Sequence, residues 1–187
     1  GAVERGLEPL AAERAHRGAR VVSLDGPAAV PWRDIVEPLA AALGARTLDV
    51  REHYVPWDEV RRRTAESELP GDPVFGRLAV GALEDLLDEP PRIADADGVV
   101  LVYGPGSSLV AHDLLWYVDV PKRVSLAAVR RGVAGNLGQR PGERGTEQRL
   151  QFVDWPILDR HKQALAPSLD RYVAAGDPVR LRSLPGD

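Results

Sequence analysis

Three groups of residues in this 187-residue chain have the types and spacing to act on an anion. The first is Asp25-Gly26-Pro27, which follows the apolar run Arg20-Val21-Val22-Ser23-Leu24 and precedes a helical pattern with Arg33 near its start. A glycine turn leading into a helix presents unpaired N–H groups and the positive end of the helix dipole, both of which favour a phosphate. The second group is a run of arginines, Arg130, Arg131, Arg140, Arg144 and Arg149, five within 20 residues, with Arg51 earlier in the chain. Such side chains stabilise phosphoryl groups when they reach them, and otherwise make a solvated face. The third is Gly104-Pro105-Gly106-Ser107-Ser108, whose N–H groups and hydroxyls are able to cradle an anion. A tight turn with positive φ explains its glycines equally well. Glu52, within Asp49-Val50-Arg51-Glu52-His53-Tyr54, is a candidate general base, or a solvated carboxylate at a strand end.

A working P-loop reads G-x-x-x-x-G-K-[ST] between strand and helix, with its lysine on the β/γ-phosphates and its hydroxyl on magnesium. Here Gly26-Pro27-Ala28-Ala29-Val30-Pro31-Trp32-Arg33 puts Pro31 at the second glycine, Trp32 at the lysine and Arg33 at the hydroxyl. Mg-ATP is therefore expected to bind weakly or not at all. A plain β-α unit with a proline-containing loop is the alternative. His16, His53, His112 and His161 are scattered and cysteine is absent, so neither zinc nor any other metal or cofactor is expected. Ser107 and Ser108 lack the G-x-S-x-G setting of a hydrolase nucleophile.

The elements that must position these residues alternate. Strands are predicted at 20–24, 46–50, 99–103 and 115–120, with helices at 8–17, 32–43, 124–133 and 156–174. The stretch 57–88 reads as mostly helical, broken at Pro70-Gly71-Asp72-Pro73 and stopped by Pro90-Pro91; Val179 to Leu181 reads as a last strand or a tail. This order predicts a three-layer α/β/α domain with a mainly parallel sheet of about five strands, 20–24 and 99–103 side by side at its centre. One domain spans 1–187, with an N-terminal extension over 1–19, a mobile, lid-like Gly/Arg-rich segment over 132–149 and a tail over 176–187. A net charge of -4 argues against a nucleic-acid partner. No apolar run approaches a membrane span and charges punctuate the first twenty residues, so a cytoplasmic protein is expected.

Asp25-Gly26-Pro27-Ala28 resembles the opening of cytidylate and uridine kinase loops. Further strings are Asp72-Pro73-Val74-Phe75-Gly76-Arg77, Leu115 to Pro121 with its D-x-P ending, Gly135-Asn136-Leu137-Gly138, and Phe152-Val153-Asp154-Trp155-Pro156-Ile157-Leu158-Asp159-Arg160-His161-Lys162. Together, over about residues 20–175, they resemble the uridine kinase-like P-loop domain attached to some bacterial class I mannose-6-phosphate isomerase-like proteins. The last string is the most distinctive. The resemblance implies a P-loop nucleoside kinase-like fold and lid arginines near a phosphoryl group. It also implies Glu52 at the place of the catalytic acid, and Tyr103 where an acidic residue supports magnesium. The isomerase's own zinc-cupin chemistry does not carry over, because this chain has neither the clustered ligands nor room for the barrel.

The expected function is a degenerate kinase-like domain, accessory or regulatory in sugar-phosphate metabolism. Its expected partner is a phosphorylated small molecule, bounded by Gly26, Arg33, Arg51, Arg130, Arg131 and Arg140, or a cupin-type isomerase domain. The alternatives are an active small-molecule kinase using Arg33 in place of the lysine, and an interaction module with Trp32 and Trp57 in an apolar contact patch. The basic cluster Arg160-His161-Lys162 either faces a phosphate-bearing ligand or is solvated.

Overall fold

Continuous apolar runs become the buried strands of one mixed sheet. The computed structural model describes residues 2–89, 91–93, 97–176 and 181–186. In chain order its main elements are β1 (Glu4–Arg5), α1 (Glu8–Arg17), β2 (Val21–Asp25), α2 (Trp32–Leu43), β3 (Ala45–Asp49), α3 (Trp57–Arg63), β4 (Val99–Tyr103) and β5 (Leu114–Asp119). There follow α4 (Lys122–Arg130), the single turn α5 (Glu147–Arg149), a π-helical turn over Leu150–Asp154, α6 (Trp155–Leu165), β6 (Arg171–Ala174) and β7 (Arg182–Pro185). The strand order is β1-β7-β6-β5-β2-β4-β3. β2 lies between β4 and β5 and is parallel to both, which meets the expectation for the two central strands.

Alternation along β2 decides which side chains serve which face. Val22 and Leu24 pack with Leu10 of α1 and with Trp32, Ile35 and Leu39 of α2. Ser23 and Asp25 therefore point to the opposite face, where α6 lies and Leu165 packs with Leu115 and Tyr117. The helix α2 buries Trp32, Ile35, Val36, Leu39, Ala40 and Leu43, an i, i+3, i+4 stripe. It ends at Gly44, whose φ of 60° forms the left-handed C-cap.

Three expectations are corrected. The sheet has seven strands rather than five, because β1 and β7 add antiparallel pairs beyond β6; the expected N-terminal extension thus supplies β1 and α1, and the expected tail supplies β7. Leu181 is buried before β7, while Val179 lies outside the described residues, as does Pro90. Helix α6 stops at Leu165 instead of running to 174, since Pro167 cannot donate within a helix, and Arg171–Ala174 alternates buried and exposed as a strand does. Residues 74–87 are not a helix. Asp72 Oδ1 accepts the N–H groups of Val74 and Phe75 at 2.9 Å each, an Asx-type turn that competes with helical bonding; only Glu84–Leu86 forms a 3-10 turn. Among the described residues no helix is long and apolar enough to cross a membrane.

Candidate functional site

At the carboxyl end of the sheet, the Gly/Ser loop after β4 is an anion cradle that the chain itself fills. Asp25 is fully buried. Its Oδ1 accepts from the N–H of Gly26 at 2.7 Å and of Gly106 at 3.2 Å. Its Oδ2 accepts from Ser108 N at 3.0 Å and lies 3.0 Å from His161 Nε2. Gly106 takes a φ of 89°, which turns these N–H groups inward. Ser108 Oγ lies 3.2 Å from the same His161 nitrogen. An acid–base relay needs carboxylate and hydroxyl on opposite ring nitrogens, so this cluster ties β2, the β4 loop and α6 together without the wiring of a nucleophile. Burial works against the His161 imidazolium, but the hydrogen bond and charge of Asp25, with Glu84 adding, raise its pKa above 6.5.

The loop after β2 is closed on itself. Val30 N donates to Ala28 O at 3.1 Å and Trp32 N to Val30 O at 2.8 Å, so these N–H groups are spent within the loop. Pro31, at φ -73° and ψ 65°, has the dihedrals of an inverse γ-turn. The Trp32 side chain, 2% exposed, packs with the α1/α2 face of the sheet, 5.9 Å from the Tyr103 ring. A Cβ on Gly26 would lie 2.9 Å from Val118 O and 3.0 Å from Trp32 Cη2, so the loop's backbone passes directly over this filling.

Beside that loop opens a cleft of about 460 Å³. Its walls are the loop and the start of α2, then Arg51 and Tyr54, then the end of α4 and residues 133–142. Arg33, Arg51, Arg131 and Arg140 line it, with Asp34 the one acid among the described lining residues. Arg51 is held bidentately by Asp49, at 2.8 and 2.6 Å, with its guanidinium 5.6 Å from the Tyr103 ring centre. Arg33 is exposed and pairs with Glu37 at 2.7 Å. Arg131 and Arg140 make no ion pair among the described residues. A cleft with two uncompensated guanidinium groups at its rim favours an anionic ligand.

Four of the six expected phosphate ligands thus share one cleft, and two do not. Gly26 is buried with its N–H given to Asp25. Arg130 points elsewhere, held by Glu147 through two bonds of 2.9 Å. Glu52 is exposed and does not line the cleft; it lies in the 3-10 turn Val50–His53, of which Val50 is the buried residue and Arg51 the one that reaches the cleft. Trp32 cannot belong to a contact patch, being core, and Trp57 is half-buried under the Arg149 guanidinium at 4.8 Å. The Arg160-His161-Lys162 cluster is divided: Arg160 donates to Gly81 O, His161 faces Asp25, and Lys162 pairs with Asp119 at 3.0 Å. Among the described residues no three acidic or histidine side chains converge as a metal site.

Sequence reasoning missed the root of the lid-like segment. Asn136 Nδ2 donates to Asp154 Oδ2 at 2.8 Å and to Thr146 O at 3.1 Å, while its Oδ1 accepts from Thr146 N at 2.7 Å. Gly145 crosses so close to Asn136 that a Cβ would lie 2.9 Å from its backbone nitrogen. Asp154 ends the π-helical turn, a feature frequent at functional sites. Its Oδ1 is buried without a hydrogen-bond partner, and burial pushes its pKa up to about 6 against the opposing hydrogen bond from Asn136. The Tyr54 hydroxyl donates to Pro105 O at 2.9 Å, and its pKa is raised well above its usual range by burial and by the charges of Asp25 and Asp154. Glycines flanking one asparagine, and an acid inside an apolar string, were the signals that could have found this root.

No curated protein matches the chain. Among solved structures, a protein of Silicibacter sp. TM1040, proposed to be a fructose transport system kinase, superposes with a TM-score of 0.40 and 18% identity, covering 67% of this chain and 81% of that one. The model of the family described as "Domain of unknown function (DUF8485)" matches residues 6–187, and the chain belongs to that family.

Proposed function

We propose that this is a kinase-like α/β domain that binds a small phosphate ester, without phosphoryl transfer, in the cleft between the loop after β2 and the lid-like segment. The observation that carries the reading is the convergence of Arg131 and Arg140, whose guanidinium groups make no ion pair among the described residues, with Arg33 and Arg51 on one cleft. The cleft lies past the carboxyl ends of the parallel strands, where ligands of open α/β sheets bind. Trp32 fills the core where a lysine would reach ATP, and the loop's N–H groups at Val30 and Trp32 are already used. These features speak against a nucleoside triphosphate. A sugar phosphate is the ester, and a cupin-type isomerase domain the partner, that the resemblance of the sequence implies. Titration calorimetry with glucose 6-phosphate, inorganic phosphate and Mg-ATP tests the reading. Saturable binding of either of the first two, weakened by Arg140→Ala, supports it; tighter binding of Mg-ATP than of either contradicts it.

One observation favours a second reading, contact with a partner protein. Val74, Phe75, Leu78 and Val80 are all more than half exposed on one extended segment. That segment is fixed to the body, with Gln148 Nε2 donating to Asp72 O and Phe75 O and Ala79 N donating to Phe152 O. Amide shifts at 74–80 on adding a cupin-type isomerase domain would favour this reading, and their absence would count against it.

A further inference from the structure

The buried Asn136–Asp154 pair joins two parts of the chain whose relative position decides where the cleft's cations sit. Asn136 and its neighbours Leu137 to Arg140 form the lid wall of the cleft. The segment turns back at Gly142 and is closed at its base by Gly145 N on Ala134 O at 3.0 Å and by Thr146 N on Asn136 Oδ1. Gln139 reinforces the turn, its Oε1 accepting from Asn136 N at 2.6 Å. All of these bonds lie within the segment. Among the described residues two side-chain hydrogen bonds lead from this knot to the body: Thr146 Oγ1 accepts from Arg149 N at 3.4 Å where α5 begins, and the buried one runs from Asn136 to Asp154 Oδ2.

Asp154 is itself fixed by packing. It follows Val153, which with Ile157 and Leu158 packs in the cluster around Leu137, Val60 and Leu83. A carboxylate in this setting costs free energy through burial, offset in part by the Asn136 amide, the charge of Arg149 and the Leu137 N–H, while Oδ1 has no hydrogen-bond partner. Apolar packing alone would dispense with the acid, so its presence calls for a role that a hydrophobic side chain cannot fill. Asn136 supplies it: its amide needs an acceptor at this depth, and Asp154 Oδ2 is that acceptor.

We propose that Asp154 is a positioning residue that, through Asn136, fixes residues 134–146 in the arrangement that carries Arg140 to the cleft. The positioning of the segment stands on the geometry, whereas its consequence for anion binding rests on the function proposed above.

Hydrogen exchange of backbone amides and calorimetry with glucose 6-phosphate test it on the wild type, Asp154→Ala, Asp154→Asn and Asn136→Ala. Asp154→Ala is expected to speed exchange at Gly145 and Thr146 by about tenfold or more, the loss of one buried hydrogen bond; Asn136→Ala removes three, the acceptor of the Thr146 N–H among them, so Gly145 is the amide read in that variant. Amides of β2 and β5 should be unchanged relative to one another. Asp154→Asn keeps an acceptor for Asn136 and is expected to hold lid exchange within about twofold of wild type, a rescue that a mere space-filling role would not require. Affinity for glucose 6-phosphate should fall with the alanine variants and recover with Asp154→Asn. Lid exchange that rises no more than exchange in β2, or an asparagine variant as loose as the alanine, overturns the proposal. A loosened lid with unaltered affinity overturns its coupling to the cleft. If Asp154→Ala unfolds as a whole, Asp154→Leu fills the same space without an acceptor for Asn136, and its exchange at Gly145 and Thr146 decides the matter. Absence of any binding to wild type would refute the anion reading while the exchange data still decide the role of Asp154.

Discussion

Two places at the carboxyl end of this sheet gather groups that suit an anion, and they have opposite fates. The Gly/Ser loop after β4 is a complete cradle, with inward N–H groups from Gly106 and Ser108 and a histidine above them, and the Asp25 carboxylate occupies it. The cleft beside the lid-like segment is assembled from arginines on separate elements, and the guanidinium groups of Arg131 and Arg140 make no ion pair among the described residues. The first is internal, so its hydrogen bonds contribute to folding. The second is at the surface, so its charges are available to a ligand. A glycine-rich loop at a strand end is therefore not by itself a binding site; what matters is whether the chain supplies its own anion.

Removing the internal anion should have the largest effect. Asp25→Ala leaves the N–H groups of Gly26, Gly106 and Ser108 and the imidazole of His161 without their buried partner, and losing one side of such a pair costs about 3–5 kcal/mol. The expected drop in melting temperature is about 10 °C, followed by calorimetry. Trp32→Lys, which puts a lysine where the P-loop pattern has one, is expected to destabilise by a comparable amount, since large-to-small changes at such aromatics cost about 3–5 kcal/mol and a buried charge is added. It should confer no Mg-ATP binding, and gain of such binding would mean that the loop is able to serve as a nucleotide site.

A smaller effect separates the two regions by pH. The pKa of Asp154, raised by burial from 3.8 to about 6, makes a contribution to stability that is complete below 3.8 and is lost as pH rises through about 6. The difference corresponds to about 3 kcal/mol. His161 contributes stability that is complete below 6.5 and is lost as pH rises through its higher folded value. The lowered carboxyls of Glu59, Asp72, Asp113 and Glu147 act in the other sense, losing their contributions only as pH falls below the ordinary carboxylate range. Denaturant unfolding above pH 5 should thus show stability declining as pH rises. Asp154→Asn is expected to flatten the part near pH 6 and His161→Gln the part above it. A rise in stability from pH 5 to 7 would contradict both assignments.

The smallest stability effects should come from the arginines of the cleft. Arg131→Ala and Arg140→Ala are expected to leave the melting temperature within about a degree, as surface changes do, yet to weaken a phosphate ester about tenfold each through a lost charged hydrogen bond. Arg33→Ala removes only an exposed pair with Glu37 and should change binding least.

Much of the central sheet was legible because its strands are unbroken apolar runs: Val99 to Tyr103 beside Val21 to Asp25 needed no tertiary information. The edges were not. β1 is two residues long and β7 carries Arg182 and Leu184 outward, patterns too short for periodicity to register. The arginines of the cleft were legible from their number and from the helix start at Arg33. Asp25 and His161 were not, because their meeting joins residues 136 positions apart and depends on which face of β2 the aspartate takes. Asn136 and Asp154 escaped for the same reason. An apolar string around an acid reads as core until its partner is seen.

NMR titration of the wild-type chain with inorganic phosphate distinguishes anion binding beside residues 131–142 from binding in the glycine loops. The expected result is a saturable set of amide shifts over residues 131–142 and at Arg51, with Gly26, Gly106 and Ser108 unmoved. Shifts centred on Gly26, Gly106 and Ser108, with residues 131–142 unaffected, would place the anion in the glycine loops and rule out the cleft.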